Sequence, residues 1–168
     1  MTQLVLGGAR SGKSTFAQQT AEASKPKQIF VATAEALDEE MTTRIQRHVS
    51  DRGESWITIE APLALAAAIQ ANCSDEYAVV VDCLTLWLSN ILHKDLDVDT
   101  ELERLVGVVA MIETPLILVS NEVGMGIVPA SELGRRFRDA QGQLNKAMAT
   151  VVDRVDFVAA GLPLRLKG

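Results

Sequence analysis

An eight-residue segment near the amino terminus constrains the fold of this chain more than any other feature. It reads Gly7-Gly8-Ala9-Arg10-Ser11-Gly12-Lys13-Ser14 and matches G-x-x-x-x-G-K-[ST] at every position. An apolar run at 3–6 predicts a strand before it, and a helical pattern over 13–23 follows. The glycines allow main-chain amides to turn inward at a helix N-terminus, where they cradle an anion. The segment therefore predicts a phosphate-binding loop (P-loop), in which Lys13 bridges the β- and γ-phosphates and the Ser14 hydroxyl ligates Mg²⁺.

Short apolar runs alternate with longer helical patterns along the rest of the chain. Strands are predicted at 28–33, 55–59, 78–82, 116–120, 155–159 and 163–166. Helices are predicted over 38–51, 63–70 with Pro62 at its start, 84–92, 99–112 and 131–150. The strand at 78–82 is apolar on both faces, as in a parallel strand covered by helices. This alternation predicts a three-layer α/β domain with a mainly parallel sheet, whose ligand crevice lies at the carboxyl ends of the strands.

Length and composition narrow the class of protein further. The chain has 168 residues, close to the usual size of one domain, and no linker or repeat interrupts it, which predicts one domain over 1–168. Sixteen Lys and Arg against 22 Asp and Glu give a net charge of −6, which argues against a nucleic-acid partner. Two cysteines are too few for a disulfide framework, and neither a secretory signal nor a membrane span is evident. We therefore expect a cytoplasmic protein.

Two acidic residues follow predicted strands and are candidates for the nucleotide site. Asp82 ends the strand at 78–82, where P-loop proteins place the acid that supports Mg²⁺. Such an aspartate also serves as a turn or helix cap, but the P-loop favours the metal role. Glu60 follows the strand at 55–59 and either orients a ribose or base or simply ends the strand.

Two further segments fit a ligand site without requiring one. Residues 121–126 (Asn-Glu-Val-Gly-Met-Gly) follow the strand at 116–120, and their glycines and polar side chains suit a mobile loop over a ligand. Arg135, Arg136 and Arg138 open the long predicted helix and suit either a solvated face or the binding of a substrate phosphate.

His48 lies on the predicted helix 38–51 and has two interpretations. Met41, Ile45, His48 and Arg52 form one stripe, with further arginines to one side. Spacing alone favours a half-buried histidine at the edge of the core. The alternative is a nucleophile, because a neutral imidazole attacks phosphorus well while arginines hold the phosphates.

Several segments together resemble the bifunctional cobinamide kinase/cobinamide-phosphate guanylyltransferase family. Besides the P-loop, they are residues 32–34 (Ala-Thr-Ala), 38–48, 56–60, 82–90, 120–129 and 134–142. The P-loop alone is generic, whereas the ordered set covers nearly the whole chain and is specific.

The resemblance implies two reactions in the synthesis of adenosylcobalamin. Adenosylcobinamide takes the γ-phosphate of ATP or GTP, and GTP then guanylylates a histidine, which passes GMP to adenosylcobinamide phosphate. It further implies a RecA-like P-loop NTPase sheet, a homotrimer and His48 as the residue that carries GMP. The implied nucleotide site comprises residues 7–14 together with Thr33, Ala34, Glu35, Val49, Ser50, Asp51, Arg52, Glu60 and Asp82.

Two other functions fit the P-loop less closely. One is a kinase for another small alcohol, and the second is a nucleotide-dependent switch or a RecA-like motor. In each of them His48 would be structural. A motor that tracks a nucleic-acid strand needs a basic or aromatic surface, whereas this chain is acidic and 4% aromatic.

Overall fold

Seven strands form one sheet in the computed structural model, which describes residues 1–34, 53 and 55–168. The strands are β1 (Thr2–Gly7), β2 (Lys27–Ala32), β3 (Trp56–Glu60), β4 (Tyr77–Asp82), β5 (Leu116–Asn121), β6 (Arg154–Ala159) and β7 (Leu162–Lys167). Their order across the sheet is β3-β2-β4-β5-β1-β6-β7. Strands β1 to β6 pair in parallel, and β7 pairs antiparallel with β6. The carboxyl ends of the six parallel strands therefore meet at one edge of the sheet.

Helices cover both faces of this sheet. They are α1 (Lys13–Ser24), α2 (Leu65–Asn72), α3 (Leu84–His93), α4 (Val98–Val109) and α5 (Glu132–Val151). On one face, Ala17 and Ala21 of α1 pack against Val80 and Ile117. On the other face, helices α2 to α5 enclose a larger core, because alternate residues of each strand point to opposite faces. The prediction of a three-layer, mainly parallel α/β architecture is confirmed.

Helix α2 begins at Leu65, which differs from the predicted start at Pro62. The carbonyl oxygen of Pro62 accepts a hydrogen bond from Asn90 Nδ2 at 3.0 Å, and that of Leu63 accepts one from Trp87 Nε1 at 2.9 Å. Both donors belong to α3 and anchor this segment across the interior. The segment's carbonyl groups thus bind tertiary partners, and the helix starts only after them.

The β6–β7 hairpin closes one side of the sheet around a buried carboxylate. Asp156 on β6 is 1% exposed and accepts hydrogen bonds from Gln3 Nε2, Arg154 Nε and Arg165 Nε, each at 2.7 Å. By contrast, every residue of β7 is exposed. A buried charge needs such partners, so Asp156 ties β7 to the sheet electrostatically.

The sequence predicts no membrane span, and the described helices can be compared with what a span requires. Over residues 1–34, 53 and 55–168, no helix combines the length and the apolar character that crossing a bilayer requires.

Candidate functional site

The P-loop lies between β1 and α1 at the carboxyl edge of the sheet. The side chain of Lys13 is buried, and its Nζ donates to the Gly8 carbonyl oxygen at 3.2 Å. The Ser11 amide donates to the same carbonyl at 3.3 Å, and the Phe16 amide donates to the Gly12 carbonyl as α1 begins. The Ser14 side chain is partly exposed in the first turn of α1, and Ala9 and Arg10 are exposed in the loop. The loop thus folds around the ammonium group of Lys13 at a helix N-terminus, an arrangement that suits an anion.

Two glycines of this loop are required by their surroundings. A Cβ on Gly7 would lie 2.5 Å from the Val158 carbonyl oxygen and 2.6 Å from Ser11 Oγ. Gly12 has φ +95°, in the left-handed region that favours glycine. A Cβ on Gly8 would meet no protein atom within 4 Å. The motif glycines therefore differ in their steric role.

The turn of the β6–β7 hairpin supports the loop from outside. The Gly161 amide donates to the Ser11 carbonyl oxygen at 2.8 Å. This contact joins the loop to a part of the chain about 150 residues away in sequence.

Asp82 ends β4, the second strand from the P-loop strand β1, with β5 between them. It is partly exposed, and no side chain or amide in the described part of the chain donates a hydrogen bond to its carboxylate. Burial raises the pKa of the neighbouring Cys83 thiol; the Asp82 charge raises it further, while main-chain hydrogen bonds and the Lys13 charge lower it. Lys13 and Asp82 therefore both lie within electrostatic reach of the same buried thiol.

These residues form a donor set that fits Mg²⁺. The Ser14 hydroxyl and the Asp82 carboxylate are hard oxygen ligands at one edge of the sheet. Within residues 1–34, 53 and 55–168, no three His, Cys, Asp or Glu side chains cluster as they would for a metal held by protein alone. Mg²⁺ suits such a sparse set, since it keeps several waters and shares its ligands with substrate phosphates.

Thr33 lies at this edge, and its hydroxyl group is hydrogen-bonded to the main chain of Cys83. The residue is fully buried, and Oγ1 donates to the Cys83 carbonyl oxygen at 2.7 Å and accepts from the Cys83 amide at 2.8 Å. Its own carbonyl oxygen accepts from Asn90 Nδ2 at 2.8 Å. The Thr33 side chain thus fastens the end of β2 beside Asp82, and Ala34 follows it, partly exposed. That Thr33 and Ala34 contact the nucleotide stays a prediction.

Glu60 is remote from the P-loop. It is exposed at the end of the edge strand β3, four strands away from β1. Strand spacing places these two strands about 19 Å apart. That Glu60 contacts the ribose or base stays a prediction, and the distance argues against a contact with the β- and γ-phosphates.

Six residues of the expected site lie outside the described residues. They are Glu35, His48, Val49, Ser50, Asp51 and Arg52. Their roles remain predictions.

The predicted loop after β5 lies at the carboxyl edge and contacts the P-loop directly. The Glu122 amide donates to the Gly7 carbonyl oxygen at 3.0 Å, and Glu122 Oε1 accepts from the Gly124 amide at 2.5 Å. Arg135 Nη1 donates to the Pro129 and Ala130 carbonyl oxygens at 3.2 and 2.7 Å. In this structure Arg135 therefore anchors the far end of the loop.

Sequence reasoning missed a cluster of buried polar side chains below this edge. The buried side chains are Thr85, Ser120, Gln141 and Asn145, two of which bind the main chain of the partly exposed Asn121; we call these five residues the polar cluster. Gln141 and Asn145 share the buried side of α5 with Leu144 and Met148. Two amides within a helical apolar stripe are the signal that could have revealed the cluster.

Comparison with solved structures supports the fold. The P4 protein from bacteriophage phi6, solved in complex with ADP, superposes with a TM-score of 0.53 at 13% sequence identity. The match covers 96% of this chain, which spans 52% of the phage chain. At this identity the likeness concerns the fold alone.

Sequence comparison is far more specific. The chain is 46% identical to the bifunctional adenosylcobalamin biosynthesis protein CobP of Pseudomonas aeruginosa, over 100% of this chain and 98% of that protein. It is 34% identical to the corresponding CobU protein of Salmonella typhimurium and 35% identical to that of Escherichia coli, in both cases over 99% of this chain and 100% of the relative. The family described as cobinamide kinase / cobinamide phosphate guanyltransferase matches residues 3–166. This chain therefore belongs to the cobinamide kinase / cobinamide phosphate guanyltransferase family.

Proposed function

We propose that this protein carries out both reactions of its family in adenosylcobalamin biosynthesis. It phosphorylates adenosylcobinamide with ATP or GTP, and then transfers GMP from GTP through His48 to give adenosylcobinamide-GDP. The observation that carries the proposal is the complete P-loop, with Lys13 buried in its turn, in a chain that matches the family over residues 3–166.

In the kinase reaction, the P-loop positions the phosphates of the nucleotide and offsets their negative charge. The acceptor hydroxyl oxygen forms a bond to the γ-phosphorus while the bond from that phosphorus to the bridging oxygen breaks, which releases the nucleoside diphosphate and a proton. Loop amides and Lys13 hold the phosphates in line and offset their charge. Because Lys13 lies folded against the Gly8 carbonyl at 3.2 Å, we expect its ammonium group to exchange that contact for phosphate oxygens.

Ser14 and Asp82 would hold Mg²⁺ in this site. When bound, the ion neutralises charge on the β- and γ-phosphate oxygens. The partial exposure of both side chains leaves them accessible to such a complex.

The guanylyl transfer splits one displacement into two. A neutral ring nitrogen of His48 attacks the α-phosphorus of GTP and pyrophosphate leaves; a phosphate oxygen of adenosylcobinamide phosphate then attacks the same phosphorus and frees the histidine. If the P-loop holds the β- and γ-phosphates, His48 must approach from the side opposite the departing pyrophosphate. Glu35, residues 49–52 and Glu60 would contact the rest of the nucleotide.

The proposal includes the setting in which the protein works. We expect a homotrimer, as the family resemblance implies, acting in the cytoplasm with adenosylcobinamide and its phosphate as substrates. The net charge of −6 supports the expectation that nucleic acid is not a partner.

The His48 assignment is tested with GTP labelled at the α-phosphate. We expect wild-type protein with Mg²⁺ to form an acid-labile, base-stable adduct that peptide mapping places on His48. His48→Ala should abolish the adduct and keep measurable kinase activity. His93→Ala is the matched control, because His93 is exposed at the end of α3. Guanylyl transfer that persists in His48→Ala would overturn the assignment, whereas the absence of any adduct from protein with kinase activity would favour a simple kinase or a switch.

Lys13 is tested in both reactions. Lys13→Ala removes the buried ammonium group from the P-loop, so we expect kcat/KM to fall at least about 100-fold in each. Lys94→Ala is the control, since that lysine is exposed just after α3. A variant that loses only one of the two activities would show that the reactions do not share the P-loop.

A further inference from the structure

The polar cluster gives the protein little stability beyond what an apolar core would supply. Ser120 and Gln141 are fully buried, and Asn145 and Thr85 are each 6% exposed. Ser120 Oγ donates to Asn145 Oδ1 at 2.6 Å, and Gln141 Nε2 donates to Ser120 Oγ at 2.9 Å and to Asn145 Oδ1 at 3.0 Å. Buried hydrogen bonds of this kind add little net stability, whereas apolar groups of the same shape are nearly neutral replacements. The cluster is therefore better explained by what it positions.

The residue that the cluster positions is Asn121, at the end of β5. The main-chain N–H of Asn121 donates to Thr85 Oγ1 at 2.8 Å, and the main-chain carbonyl oxygen of Asn121 accepts from Asn145 Nδ2 at 3.0 Å. The next amide, of Glu122, donates to the Gly7 carbonyl oxygen at 3.0 Å. The main chain is thus held by α3, α5 and the P-loop together.

Asn121 also lies between the two parts of the phosphate site. It pairs with Gly7, the first residue of the P-loop, and β5 separates β1 from β4, whose last residue is Asp82. Parallel strands bring their carboxyl ends to one edge, so Asn121, the last residue of β5, lies at the same crevice.

The Asn121 side chain has unused hydrogen-bonding capacity. The residue is partly exposed; its Oδ1 is buried and accepts no hydrogen bond from the described part of the chain, and its Nδ2 donates none to it. A carboxamide offers two donors and one acceptor without charge. Such a neutral group can donate to phosphoryl oxygens before and after transfer without an ion-pair penalty.

We propose that Asn121 is a catalytic residue of the kinase reaction, whose carboxamide binds the transferred phosphoryl group, and that Thr85 positions it. This inference rests on the proposed kinase function of the P-loop. The carboxamide forms no covalent bond; it stabilises charge that develops on the phosphoryl oxygens as the acceptor oxygen bonds and the bridging oxygen leaves. Because the Asn121 main chain is fixed in advance by α3, α5 and the P-loop, bringing the carboxamide to the phosphoryl group costs little reorganisation at that moment.

The first test compares phosphoryl transfer with nucleotide binding in Asn121→Ala. We expect kcat for adenosylcobinamide phosphorylation to fall about 100-fold. The Kd of Mg·ADP should change less than about threefold. The affinity for Mg·ADP with aluminium fluoride, which mimics the transferred group, should fall by a factor similar to the fall in kcat. Unchanged kcat, or equal losses for both ligands, would overturn the inference. Wild-type protein without kinase activity would instead count against the proposed function.

An isosteric variant adds a readout that a structural role would not move. Asn121→Asp places a carboxylate against the phosphoryl group, so kcat should be lower than in Asn121→Ala at neutral pH and should rise as pH falls and the acid becomes neutral. If the ratio of the kcat values of Asn121→Asp and Asn121→Ala does not change with pH, that result would contradict contact between residue 121 and the phosphoryl group. This variant also serves if Asn121→Ala fails to fold.

Thr85 tests the positioning. Thr85→Val removes the hydroxyl that accepts from the main-chain N–H of Asn121, with little change of shape. We expect kcat to fall about tenfold with KM for ATP unchanged. Thr85→Ser keeps a hydroxyl and should restore most of the activity. Asn72→Ala is the matched control, because that carboxamide donates to the Ala68 carbonyl oxygen on α2, outside the site. Failure of the serine variant to recover kcat would refute the positioning role.

Discussion

The central strand β5 and the edge strand β7 contribute to the protein in opposite ways. The residues of β5 from Leu116 to Ser120 are buried, whereas Leu162, Leu164 and Leu166 of β7 are 73%, 62% and 58% exposed. Strand β5 supplies Ser120 and Asn121 to the polar cluster at the carboxyl edge of the sheet. The hairpin contributes through main-chain groups, the Val158 carbonyl and the Gly161 amide beside the P-loop. A hairpin whose outer strand is exposed to solvent can therefore still support the P-loop.

The largest expected difference between these regions is in core packing. Leu118→Ala removes a fully buried side chain of β5, and we expect the free energy of unfolding to fall by about 2–5 kcal/mol. The same change at Leu164 of β7 should stay within about 0.5 kcal/mol. Urea unfolding of the two variants gives both numbers, and equal losses would show that β7 is covered in solution.

The contact between hairpin and P-loop gives an intermediate effect. Gly7→Ala forces a Cβ to within 2.5 Å of the Val158 carbonyl oxygen, so we expect about 1–3 kcal/mol of destabilisation in the protein without nucleotide. Gly8→Ala is the matched control, since its Cβ would meet no protein atom within 4 Å. Thermal unfolding distinguishes them; two equally stable variants would mean that the hairpin yields and does not brace the loop.

The smallest effect concerns Asp153, at the opposite edge of the sheet. The Thr2 amide donates to its carboxylate at 2.7 Å, and this bond, helped by the Thr2 hydroxyl and the charges of the N-terminus and Lys167, lowers the pKa of Asp153 below its ordinary 3.8. A group with a lower pKa in the folded state stabilises the fold above its unfolded pKa and loses that contribution as pH falls through the folded value.

Asp153→Asn keeps the acceptor oxygen and removes the charge. The stability difference from wild type should therefore be present at pH 7 and shrink as the pH falls below 3.8. Unfolding midpoints measured across this pH range provide the test. A difference that is constant with pH would show that the charge of Asp153 contributes nothing and that its geometry alone matters.

Much of the fold was predictable because its signals are local. The P-loop motif, the apolar strands and the helix that follows Ser131 match the structure to within a residue or two. The start of α2 was wrong because Asn90 and Trp87, on another helix, bind the carbonyl groups of Pro62 and Leu63. That information lies in contacts between elements, which a local pattern does not contain.

The candidate site was predictable only in part. Lys13, Ser14 and Asp82 were candidates on the basis of a motif and a strand end, and the structure brings the P-loop and the end of β4 to one edge of the sheet. That Thr33 contacts the nucleotide stays a prediction, and the sequence did not reveal that its hydroxyl group is hydrogen-bonded to Cys83. Gln141 and Asn145 looked like part of an amphipathic helix, since helical periodicity does not tell whether a polar side chain meets water or another amide.

Sequence by itself determined the phosphate-binding loop, the layered α/β class and the family, because these depend on residues that are neighbours along the chain or on an ordered series of such neighbours. Tertiary structure alone decided that β5 lies between β1 and β4, that the β6–β7 hairpin braces the P-loop, and that Asn121 is held at the centre of the carboxyl edge. Strand order and the pairing of buried amides follow from how distant segments pack, since each segment satisfies its polar groups with whatever partners the completed sheet brings to it.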